Sequence, residues 1–260
     1  MGKVIAVSNQ KGGVAKTTTS INLGVALARN GKRVLLVDAD PQGHLSTGLG
    51  ISKTTKVTLK TMMEYVIMEM EYDPYEAVIR NDEGVDIIPS NKLLSGTDIS
   101  LITVEERESI LKKYLDTLKT EYDFVVIDCM PSLGMLTVNA MAAADSVLIP
   151  IEPEYYALDG MVELLKVIRN TKKRYNPQIE IEGILFTKDP YWHNSSKEYK
   201  QAVQEAYGKH IKIFEQSIPR SNPIAKCPKD GVSIFAYDKN NPGAKSYDWL
   251  AKEVIRNGKE

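Results

Sequence analysis

Residues 8–20 read SNQKGGVAKTTTS, with Lys11 and Lys16 set around two glycines and followed by a run of hydroxyl residues. Glycines let successive backbone N–H groups turn inward, and a helix starting near Lys16 would add the positive end of its dipole. This is the chemistry of a phosphate cradle. Lys16 can reach β- and γ-phosphates, and the Thr17 hydroxyl can ligate Mg²⁺. A cradle of that kind needs one lysine, so Lys11 requires its own explanation. Three aspartates, Asp38, Asp40 and Asp128, follow apolar runs, where carboxylates can approach a metal or a phosphate. Taken singly, each is better explained as a turn or N-cap residue; three of them together with the loop are not.

The elements that must carry these residues are legible. Short β-branched runs occur at 3–8, 33–38, 85–90, 123–128, 146–151 and 181–187, without strict alternation, as expected of strands buried on both faces. Helical patterns fall between them, at about 16–29, 58–70, 104–120, 132–143, 158–174, 195–208 and 243–257. The order predicts one α/β domain over 1–260, a doubly wound, mainly parallel sheet with helices on both faces. Residues 49–60 and 89–103 are expected to be the loosest. Ligands bind such sheets at the carboxyl ends of the strands, where these lysines and aspartates stand.

The phosphate loop departs from G-x-x-x-x-G-K-[ST], because Gln10 and Ala15 occupy the glycine positions. It fits K-G-G-x-x-K-[ST] instead and resembles the deviant Walker A motif of the ParA/MinD ATPases, a P-loop NTPase family. The resemblance extends through RVLLVDADPQGHLSTGLG (33–50), FVVIDCMPSLG (124–134), PIEPEYYALDGMVELL (150–165), SIPRSNPIAKCPKDG (217–231) and GAKSYDWLAKEVI (243–255). It implies ATP and Mg²⁺ as cofactors, bound through Gly12, Gly13, Val14, Ala15, Lys16, Thr17 and Thr18, with Pro219 and Arg220 near the adenine. It implies a metal site of Thr17, Asp38 and Asp128, and Asp40 orienting the attacking water. Lys16 would serve its own nucleotide, and Lys11 that of a partner subunit in an ATP-dependent homodimer. A ParA-type partition ATPase of the short form follows, with no operator-binding domain ahead of the loop. The resemblance further implies a ParB-type centromere-binding partner and non-specific DNA binding.

Three departures from the family stand out. Ala15 replaces a glycine; it suits a helix start if φ is negative. Met130 replaces a proline, which predicts a less rigid loop. Trp192 and Pro223 occupy positions where DNA-contacting arginines are expected, leaving Lys188, Lys197, Lys200, Lys226, Lys229, Lys245, Lys252 and Arg256 as a substitute patch.

The net charge of −1 argues against a globally basic nucleic-acid binder, although residues 188–260 hold 13 Lys and Arg against 9 Asp and Glu. His44, His193 and His210 lack zinc-ligand spacing. Cys129 and Cys227 form no disulfide framework and no convincing cluster-bridging pair, and Cys129 reads as a small packed hydrophobe. Tyr155 and Tyr156 read as packing or dimer-surface residues. No apolar run predicts a signal peptide or membrane span, so a cytoplasmic, nucleoid-associated protein is expected. The apolar stripe of the last helix (Tyr247, Leu250, Ala251, Val254, Ile255) reads as a packing face. A MinD-like ATPase acting on membrane or a partner protein is the first alternative, and a metabolic P-loop ligase or metal-insertion enzyme the second.

Overall fold

The computed structural model describes residues 2–154, 159–190 and 194–258. Tyr155, Tyr156, Trp192 and His193 lie outside the described residues. Strands β1 (Lys3–Val7), β2 (Val34–Ala39), β3 (Ile79–Arg80), β4 (Asp86–Ile88), β5 (Phe124–Cys129), β6 (Ser146–Ile151) and β7 (Glu180–Phe186) form one sheet, in the order β3-β4-β2-β5-β1-β6-β7. Every pairing is parallel except β3 with β4. The helices are α1 (Lys16–Arg29), α2 (His44–Gly48), α3 (Leu59–Ile67), α4 (Thr97–Ser100), α5 (Ile110–Asp116) and α6 (Met135–Ala143), followed by α7 (Asp159–Arg174), α8 (Asn194–Tyr207), α9 (Asn222–Lys226), α10 (Ile234–Tyr237) and α11 (Pro242–Asn257).

The central strands are buried along their whole length, which explains their unbroken apolar runs. Successive side chains face opposite ways. Leu36 and Val126 enter one core with α1 and α11, while Leu35, Val37, Val125 and Ile127 enter the other with α3, α5 and α6. A third cluster joins β6, β7 and α7 through Ile149, Ile184 and Leu164. Close approach of α1 to the sheet requires Gly24, because a Cβ there would stand 2.4 Å from Leu36 Cδ2. In α11, Tyr247, Leu250, Ala251 and Val254 are fully buried, so the apolar stripe is spent on packing. Among the described residues no helix is long and apolar enough to cross a membrane.

The structure differs from expectation in its short elements. The 89–103 segment, read as loose, contains the one-turn α4 flanked by 3₁₀ turns at Lys92–Gly96 and Leu101–Thr103. The two-residue edge strand β3 and the short helices α2, α9 and α10 were not predicted. None spans enough residues to display a period. The predicted helix at 58–70 stops at Ile67, and Glu69 takes a left-handed conformation, φ 51°.

Candidate nucleotide site

The site lies at the carboxyl ends of β1, β2 and β5. β1 ends at Val7, the glycine loop follows, and α1 begins at Lys16. The loop is pinned from beneath. Thr187, just past β7, donates its Oγ1 to the Val14 carbonyl at 3.0 Å, and Asn9 Nδ2 donates to the Pro150 carbonyl at 2.8 Å. Val14 is buried and holds the loop down, while Gly12, Gly13, Ala15, Lys16 and Thr17 line an open cavity of about 340 Å³ with Asp40, Gln42, His44 and Pro131. Lys16 Nζ donates to the Lys11 carbonyl at 3.0 Å. Burial lowers the Lys16 pKa, opposed mainly by the charge of Asp128.

Ala15 stands at φ 64°, in the left-handed region, so the condition of negative φ under which alanine suits a helix start is not met. The loop turns into α1 there, and the glycine usual at this position would do so without strain. An alanine in this region costs about 1–2 kcal/mol. The extra freedom of an unfolded glycine offsets about 0.4–1 kcal/mol. Ala15→Gly should therefore stabilise the fold by about 0.5–1 kcal/mol, read as a higher urea midpoint at unchanged slope. A midpoint that is unchanged or lower would show that the turn carries no strain.

The carboxylates separate by role. Asp38 and Asp128 are register partners on β2 and β5, and both are fully buried. Asp38 Oδ2 accepts from the Ser46 amide and hydroxyl at 2.8 and 2.6 Å. Asp128 Oδ1 accepts from Ser20 Oγ at 3.0 Å, and its carboxylate also bonds the Thr17 side chain. Its Oδ2 is buried with no partner. An orphaned carboxylate oxygen beside a threonine hydroxyl, at the edge of a phosphate-sized cavity, fits a hard divalent cation. Mg²⁺ is commonly held by one or two carboxylates and substrate phosphates, without an all-protein cage. Correspondingly, no group of three or more His, Cys, Asp or Glu gathers among the described residues. Asp40 differs from both: it lies past the end of β2, lines the cavity, and accepts from the Gln42 amide at 2.9 Å.

A second cavity, of about 270 Å³, adjoins the first at Ala15 and is lined by Thr18, Lys188, Pro219, Arg220, Asn222 and Tyr247 among others. The structure thus brings Pro219 and Arg220 to a cavity that shares Ala15 with the phosphate-loop cavity. Lys11 lines neither cavity. Its ammonium pairs with Glu154, beyond β6, and both side chains are partly exposed.

Sequence reasoning did not single out Ser20, Gln42, Ser46, Glu154 or Thr187. Gln42, Ser46 and Glu154 fall in stretches that resemble the family, and no spacing marks Ser20 or Thr187. His44, considered only as a zinc ligand, lines the phosphate cavity.

Loop, strand order and carboxylate placement define a P-loop NTPase. A family profile described as an AAA domain (AAA_31) matches residues 2–181. The chain is 42% identical over 262 residues to the sporulation initiation inhibitor protein Soj of Bacillus subtilis, covering 99% of this chain and 100% of Soj. It is 40% identical over 256 residues to the chromosome partitioning protein ParA of Caulobacter vibrioides, covering 97% of this chain and 94% of that protein. Cobyrinic acid a,c-diamide synthase from Mycobacterium smegmatis, solved with bound ADP and magnesium, superposes with a TM-score of 0.88 at 34% identity, covering 100% of this chain and 96% of that one. The chain belongs to the ParA/MinD family of P-loop ATPases.

Proposed function

We propose that this single-domain chain is a DNA-partition ATPase in which Mg-ATP closes two copies into a sandwich dimer that binds DNA without sequence preference. A ParB-type protein would then stimulate hydrolysis and release the dimer at the nucleoid. The ATPase activity, with ATP and Mg²⁺, rests on the family and on relatives bound to such ligands. The observation that carries the finer reading is the divergence of the two loop lysines. Lys16 is buried at its own phosphate cavity, while Lys11 lines neither that cavity nor the adjoining one and is turned to Glu154. A cation on that side is available to the nucleotide of the partner subunit.

Within one subunit, the loop amides and Lys16 hold and neutralise the phosphates. Asp40 is placed to accept a hydrogen bond from the attacking water. Thr17 and Asp128 would hold Mg²⁺, with Asp38 beside them, and the ion would neutralise charge developing on the phosphate oxygens. Hydrolysis by the monomer is expected to be slow, because the catalysis is positioning and charge stabilisation completed by Lys11 of the partner subunit.

Burial, reinforced by the neighbouring carboxylate, pushes Asp128 up to about 8, and burial pushes Asp38 up to about 6. Unfolded, both ionise near pH 4. Between these limits the folded, metal-free protein binds more protons than the unfolded chain, so its stability falls as pH rises from about 4 to about 8. Binding Mg²⁺ requires the ionised carboxylates. The rise in melting temperature given by Mg-ADP over ADP alone should therefore be larger at about pH 8 than at about pH 5. Equal rises at both pH values would remove these carboxylates from the metal site.

DNA binding would rest on a smaller patch than the sequence suggests. Lys188 pairs with Glu152, Lys200 with Asp189, and Lys252 with Asp248. Lys197, Lys226, Lys229, Lys245 and Arg256 remain exposed. Lysine lacks the bidentate grip of arginine, and each lost phosphate contact flattens the salt dependence and lowers affinity. The deciding experiment is co-sedimentation with DNA and with anionic liposomes, each with ATP and with ADP, across a salt series. ATP-dependent DNA binding, weakened in the Lys226→Glu/Lys229→Glu variant, is expected. Liposome binding instead would favour a membrane-positioning ATPase. The Mycobacterium synthase raises a ligase as the rival, but the Soj and ParA relatives are closer in sequence. ATP turnover stimulated by an amide donor and unaffected by DNA would favour that rival.

A further inference from the structure

The phosphate cavity is lined by two sets of residues. Gly12, Gly13, Ala15, Lys16 and Thr17 come from the glycine loop, while Asp40, Gln42, His44 and Pro131 come from the chain that follows β2 and β5. A phosphate chain held by the loop amides and Lys16 presents its terminal phosphoryl group to the second set. Within that set only His44 offers a hydrogen-bond donor that can also carry positive charge.

The backbone of His44 is fixed from both directions. On one side, the Gly43 amide donates to the Asp40 carbonyl at 2.9 Å, closing the turn from which His44 leaves. Gly43 takes φ 63° and lies so close to the Ser90 carbonyl that a Cβ there would come within 2.8 Å of it. On the other side, Leu45 and Ser46 are buried, and Ser46 donates its amide and hydroxyl to Asp38 at 2.8 and 2.6 Å. His44 between them is exposed, and its ring has no hydrogen bond or ion pair among the described residues. Exposure alone would suit any solvated side chain. Here a clamped backbone holds the unengaged imidazole at the phosphate cavity, four residues from Asp40.

We propose that His44 is a catalytic residue of the ATPase, donating an imidazole N–H to the γ-phosphoryl group during hydrolysis. In that reaction a water oxygen bonds to the γ-phosphorus and the bond from phosphorus to the ADP oxygen breaks. One proton of the water stays on the inorganic phosphate and the other passes to solvent. Negative charge spreads over the phosphoryl oxygens as the bond to ADP loosens. Lys16 meets that charge from the loop, and His44 meets it from the segment after β2, keeping its own proton throughout. The assignment rests on the ATPase activity and not on the DNA or partition reading.

The test joins imidazole NMR to kinetics, with the parent protein as control. The chain has three histidines, so the His44 ring signals are assigned by their loss in His44→Gln. Mg²⁺ with a slowly hydrolysed ATP analogue should shift them, and Mg-ADP should leave them near their nucleotide-free positions. Single-turnover hydrolysis should slow by about tenfold in His44→Ala, less than for an enclosed oxyanion donor because the cavity is open to water. Nucleotide affinity should stay within about threefold, since the contact is made chiefly in the transition state. His44→Gln keeps an N–H donor and should recover most of the rate. Light scattering should show the parent's assembly state in both variants, which separates a kinetic loss from a loss of assembly. Ring signals that respond equally to ADP and to the analogue, a parental rate in His44→Ala, no recovery in His44→Gln, or an altered assembly state would each overturn the proposal.

Discussion

Asp40→Ala is expected to slow ATP turnover by about a hundredfold or more while leaving nucleotide binding within a few-fold of the parent. Asp40 lines the phosphate cavity beyond the end of β2, and among the described residues its carboxylate oxygens are engaged only by the Gln42 backbone amide. It is the cavity carboxylate free to take a hydrogen bond from water. Asp38 and Asp128 are fully buried behind it and are held by Ser46 and Ser20. Removing Asp40 subtracts water positioning and one negative charge near the phosphates. Ground-state affinity should hold or rise, and the ATP-bound dimer should accumulate. Single-turnover hydrolysis with a fluorescent nucleotide-binding assay separates the two effects. Turnover at the parental rate would transfer the water-positioning role to another group.

Lys11→Ala is expected to abolish the ATP-dependent dimer while nucleotide binding persists. Lys16, the loop amides and Thr17 bind within one chain, and none of those contacts passes through the Lys11 side chain. What Lys11 would add is charge across the interface, where desolvation by the second subunit strengthens it. The structure supplies a counterpart. Glu154 holds the Lys11 ammonium in the single chain, and that pair must open before the lysine can cross. The pair is partly exposed and worth at most about 1 kcal/mol. Glu154→Gln should therefore shift dimerisation toward lower ATP by no more than about fivefold. Light scattering with a slowly hydrolysed ATP analogue measures both variants. An unimpaired Lys11→Ala dimer would end the trans-lysine reading. A Glu154→Gln dimer weaker than the parent's would give Glu154 a role at the interface itself.

The contiguous parts of this protein were readable from the chain. The predicted start and end of α1 match the structure, and the six predicted strands are all present. Their apolar runs are local signals, and burial on both faces is written into each run separately. The phosphate loop is likewise a local object, since its lysines, glycines and Thr17 fall within seven residues. The chain alone thus determined the fold class, the presence of a phosphate cradle and the positions of the strand-end aspartates.

What joins distant segments was decided only by the tertiary structure. Sheet order, not sequence spacing, sets Asp38 beside Asp128, because β2 pairs with β5 although the two aspartates are 90 positions apart. The division of labour between buried Asp38 and cavity-lining Asp40 follows from where β2 ends and from Ser46 on α2, an element too short to show a period. Glu154 reaches Lys11, and Thr187 reaches Val14, through the adjacency of β1, β6 and β7. The left-handed turn at Ala15 could not be read locally for the same reason: the loop is clamped at Val14 and Asn9 by strands far along the chain, and that clamp overrides the preference of alanine for negative φ. Local residue types state what chemistry is available, and the pairing of remote strands selects which of those groups face one another.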